Sequence, residues 1–73
     1  MYERERFEQL KQAFIIDTTI HLEEIRKLQF DDISNVSAGV KLTELRSKAV
    51  ASSILLADFI SKQRFDNLTK KNT

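Results

Sequence analysis

Asp17 and His21 stand four residues apart in "FIIDTTIHLEEI" (residues 14–25), the spacing at which a carboxylate can orient an imidazole as a general base on one helix face. Ser47 or Ser52 can be drawn as a third member, completing a nucleophilic triad on paper. Such a triad would need a cleft, which two helices do not make, and no Gly-rich loop or second histidine accompanies the pair. The plainer reading is an intrahelical polar pair at the margin of an apolar face. No catalytic residue is therefore assigned, and the chain reads as non-enzymatic.

The other chemistry-bearing residues resolve similarly. Asp31 and Asp32 lack the alternating ligands, central Gly and closing Glu of a calcium loop, so they read as helix caps. With no Cys and one His, no metal site is expected, and no cofactor or small-molecule substrate is implied. Asp58 sits inside the apolar run "AVASSILLADFI" (49–60). It is expected to face solvent or pair at the surface, with Lys11, Arg4 or Lys62 as possible cations. Arg46, Lys48, Lys62, Arg64, Lys70 and Lys71 are candidate contacts to a nucleic-acid backbone, a thin set on one chain but a positive ring when repeated around an oligomer.

The elements that carry these residues follow from composition. The 73 residues hold no Pro and one Gly, and 32% are charged. That favours helix and disfavours β-turns and interdomain linkers. Residues 1–60 carry eight basic and ten acidic side chains, and residues 61–73 carry four and one, so only the tail leans basic. The opening "MYERERFEQL" is charged from its third residue, and the run 49–60 is shorter than the ~20 residues of a bilayer span. A cytoplasmic protein with no membrane contact is expected.

The polar cluster "FDDISNVSAG" (30–39) is where the chain can turn. This predicts an all-α helical hairpin: helix 1 over about 3–31, a turn over about 32–35, helix 2 over about 36–67, and a frayed basic tail at 68–73. Ser34, Asn35 or Ser37 is the expected N-cap of helix 2.

At about 100° per residue, one face of helix 1 carries Phe7, Leu10, Phe14, Thr18, His21, Leu22, Ile25 and Leu28. One face of helix 2 carries Leu42, Leu45, Ala49, Leu56, Phe59 and Ile60. Phe7, Leu10, Phe14, Ile25, Leu45, Leu56, Phe59 and Ile60 are the expected hairpin core. An antiparallel pairing centred near residue 34 sets positions summing to about 68 opposite each other. Phe14 then meets Ile54, and Asp17, Thr18 and Thr19 fall opposite Ser52 and Ser53 in a polar layer. Each helix also has a second apolar patch. Ile16 and Ile20 lie on helix 1, and Val50, Ile54 and Ala57 lie on helix 2 among Val40, Phe65 and the small residues Thr43, Ser47 and Ser61. Two helices cannot cover both patches, so Ile16, Ile20, Val50, Ile54 and Ala57 are the expected interface of a homo-oligomer.

The layout "LKQAFIIDTTIHLEEIRKL", a short polar turn, then "VKLTELRSKAVASSILLADFISKQRF" resembles the oligomerisation core of phage terminase small subunits. The resemblance implies a ring of paired antiparallel helices that presents double-stranded viral DNA to a large ATPase-nuclease subunit in the host cytoplasm. The same layout is similar to the Rop-like dimeric RNA-binding regulators and to helical-hairpin co-chaperones. Glu3, Glu5, Glu8, Glu23 and Glu24 on helix 1 argue against an RNA-binding face there.

Overall fold

In a computed structural model, residues 2–71 are described, with side chains for residues 3–67. Two helices, α1 (Tyr2–Lys27) and α2 (Val36–Lys71), flank a single 3-10 turn at Phe30–Ser34. Among the described residues there is no strand.

Local chemistry sets these bounds. Glu3 and Glu5 in the first turn of α1, with Arg26 and Lys27 in its last, oppose the helix dipole at both ends. The helix stops four residues before the expected 31. Its end tightens with Leu28 N–H donating to the Ile25 carbonyl at 3.1 Å. The Asp32 carboxylate then accepts the Gln29 N–H at 2.9 Å, which starts the 3-10 turn. A carboxylate that satisfies an orphan backbone donor competes with continued α-helix, so Asp32 caps here where the apolar periodicity alone ran on. Asn35 is the N-cap of α2, its side-chain oxygen accepting the Ala38 N–H at 3.3 Å. At the other end α2 runs to Lys71, past the expected 67, so the tail expected to fray is helical that far. Asn72, Thr73 and all side chains beyond Asn67 lie outside the described residues.

The helices run antiparallel and are tied at three heights. The Phe7 and Phe59 rings stack with centroids 6.3 Å apart, and Lys11 Nζ lies 5.3 Å from the Phe7 centroid. Midway, the Ser52 hydroxyl donates to the Asp17 carboxylate. Near the turn, Lys41 pairs with Glu24 at 3.3 Å. The paired positions sum to 66, 69 and 65, close to the expected 68. The register leaves about the last two turns of α2 beyond the start of α1.

Very little is enclosed. The hairpin measures 60 × 19 × 14 Å, with a radius of gyration of 17.2 Å against about 11 Å for a compact domain of this length. Leu10, at 7% exposure, is the one buried apolar residue among those described. Phe7, Phe14, Leu45, Leu56 and Phe59 are half-buried. Ile25 and Ile60, expected in the core, are 44% and 40% exposed, and Leu22 and Leu28 are exposed too. A helix touching one neighbour hides only a narrow strip, so residues at the edges of a broad apolar face stay wet. For the same reason Phe14 does not cover Ile54, which is 61% exposed.

Candidate interaction surface

The polar layer is the best-defined chemical feature. Ser52 is 8% exposed, the one buried polar residue among those described. Its hydroxyl lies within reach of both the Asp17 carboxylate and the Lys48 carbonyl, the latter at 3.0 Å. One hydroxyl has one proton, and the charged acceptor takes it more strongly. The carboxylate thus bonds the serine directly, without the imidazole that a triad places between them, so the arrangement of Asp17, His21 and Ser52 is not assembled. Ser53 donates to the Val50 carbonyl at 2.7 Å. Thr18 Oγ1 is buried with no hydrogen-bond partner.

The remaining candidates are spread out. Asp58 pairs with Lys62 at 3.1 Å along α2, both well exposed. Among the described residues no cluster of His, Asp or Glu is placed to hold a metal, and no helix is long and apolar enough to cross a membrane. Of the basic set, Arg46, Lys48 and Arg64 are exposed on α2 and Lys62 is engaged by Asp58. The side chains of Lys70 and Lys71 lie outside the described residues.

Large apolar side chains also lie on the surface. Ile16, Ile20, Val50, Ile54 and Ala57 are all exposed. Arg46, Ser47, Val50, Ala51 and Ile54 line one shallow groove on α2. Ile15 and Leu55 add to this surface and were not singled out by periodicity. A second group escaped the sequence reading altogether. Phe30, Ile33 and Val36 at the hairpin tip are the most exposed large apolar residues among those described, at 84%, 71% and 78%. The signal was present, since three large apolar residues interrupt a segment otherwise made of Asp, Ser and Asn, where turns are normally polar.

The accessible surface totals 6244 Å², whereas a folded monomer of 8.5 kDa exposes about 4,700 Å². The surplus of about 1,500 Å² exceeds the ~800 Å² that one partner contributes to a standard interface. No known protein family matches the chain, and no curated protein or solved structure is detectably similar to it.

Proposed function

We propose that this protein is a non-catalytic helical module that works by self-association. The observation that carries the reading is that Leu10 is the one apolar residue buried among those described, while large apolar side chains line the outside of both helices. Ordering a residue's backbone costs about 1–2 kcal/mol, and one buried leucine with a few half-buried neighbours cannot offset that over two long helices. Further burial has to come from other chains, and copies of the hairpin are the partners always present at matching concentration.

The specific form we propose is a ring component of the terminase small-subunit kind, handing double-stranded DNA to a large ATPase-nuclease. What supports it is the hairpin layout, together with Arg46, Lys48 and Arg64 exposed on α2, where rotational repetition makes a positive band.

Absolute mass in solution by light scattering tests the reading. Many copies per particle fit a ring, and DNA retention that weakens steeply with salt fits its DNA role. Two copies point instead to a Rop-like bundle. A chain that folds only with an added partner protein points to a co-chaperone. A single chain that melts cooperatively at micromolar concentration, with a midpoint independent of dilution, overturns self-association itself.

A further inference from the structure

We infer that the outer stripe of α2 mates with the same stripe of a second copy running antiparallel, about a two-fold axis near residues 48 and 49. This deepens the self-association reading, on which it rests, by assigning one junction and its register. Val36, Val40, Thr43, Ser47, Val50, Ile54, Ala57 and Ser61 recur at alternating steps of four and three. That is the 3.5-residue repeat of a helix seam, sustained over about 38 Å. All eight are exposed on the hairpin, and none is charged. Thr43 gives its hydroxyl to the Gly39 carbonyl of its own helix at 3.0 Å, so it can offer a neighbour its methyl group. Serines in helices can satisfy themselves the same way.

Size complementarity selects the direction. In the antiparallel register whose facing positions sum to 97, Val40 meets Ala57 of the second copy, Ser47 meets Val50, Ile54 meets Thr43 and Ser61 meets Val36. Each layer sets a branched side chain against a smaller one, the alternation that fills space between facing helices. A parallel pairing sets like on like, leaving thin layers at Ser47, Ala57 and Ser61 and thick ones at Val50 and Ile54. The flanks agree with the antiparallel choice. Arg46 falls beside Ser53, Glu44 beside Ala51 and Asp58 beside Ser37 of the second copy, so no like charges are opposed. Opposed helix dipoles favour the same direction. The surplus of exposed surface leaves room for this seam and for a second junction on α1.

The chain has no cysteine, so thiols can be placed cleanly. Val40→Cys and Ala57→Cys are made as two separate proteins and oxidised with oxidised glutathione, alone and mixed. The antiparallel seam predicts a disulfide-linked band at twice the 8.5 kDa chain mass in the mixture, at least several-fold stronger than in either protein alone. Strong cross-linking of each protein with itself overturns the antiparallel register. No cross-linking while light scattering still shows an oligomer overturns the seam and leaves self-association standing. A monomeric mass overturns both.

Discussion

The Ser52 hydroxyl on α2 donates to the Asp17 carboxylate on α1, a side-chain hydrogen bond that crosses between the helices. Ser52 is buried there, with Leu10 one of the two buried residues among those described. The bond's role is positional: sliding one helix by a residue takes the Asp17 carboxylate away from this hydroxyl. Replacing Ser52 with Ala leaves the carboxylate short of a partner, at a cost of about 1–3 kcal/mol. Replacing Asp17 with Ala costs a similar amount. The double variant should lose less than the sum, by about 1 kcal/mol or more, in a denaturation cycle at fixed protein concentration. Strict additivity would mean that the bond contributes nothing to stability.

Next to Asp17 in the sequence, Thr18 carries a buried oxygen that bonds to nothing. Val is nearly isosteric and removes the stranded hydroxyl while keeping the bulk. Thr18→Val should therefore raise stability by about 1 kcal/mol, seen as a higher midpoint in thermal or urea unfolding. A lower midpoint would show that the hydroxyl finds a partner in solution.

These two positions also show what the sequence made legible. Counting outward from the polar turn placed Asp17 opposite Ser52 to within one residue, because antiparallel pairing leaves one free parameter and the turn fixes it. The end of α1 was less legible. The apolar spacing of Ile25 and Leu28 continues the helix on paper, and only the Asp32 carboxylate reaching back to the Gln29 N–H stops it. Burial was the least legible. Ile25 and Ile60 have the right angle for the core, yet periodicity gives direction alone, and whether a neighbour stands there depends on how many chains surround the helix. The apolar tip at Phe30, Ile33 and Val36 was hidden because a turn assignment attends to Asp, Asn, Ser and Gly and passes over the residues between them.

Gly39 lies in the first turn of α2, with helical backbone, no positive φ and open space where a Cβ would project. Nothing in the hairpin requires glycine there. Gly39→Ala should stabilise the protein by about 0.5–1 kcal/mol, through lower unfolded-state entropy and better helix propensity. Calorimetry at matched concentration measures this directly. A loss of stability would locate a neighbouring chain's backbone against Gly39, where only a bare Cα fits.

Ile16 and Ile20 are exposed one turn apart on α1, so both can be changed without disturbing Leu10 or the Asp17–Ser52 bond. If they join a neighbouring chain, each stabilises the junction by about 1.5–3 kcal/mol, and a glutamate in either place adds the cost of desolvating a charge. Ile16→Glu with Ile20→Glu should weaken that junction by a hundredfold or more. The variant should scatter light as a smaller particle at concentrations where the parent is fully assembled. Its helical circular dichroism should survive in part and decline on dilution, because the hairpin's own ties remain while the surface that other copies covered is wet. Retention of the parent mass would remove Ile16 and Ile20 from the contact between copies.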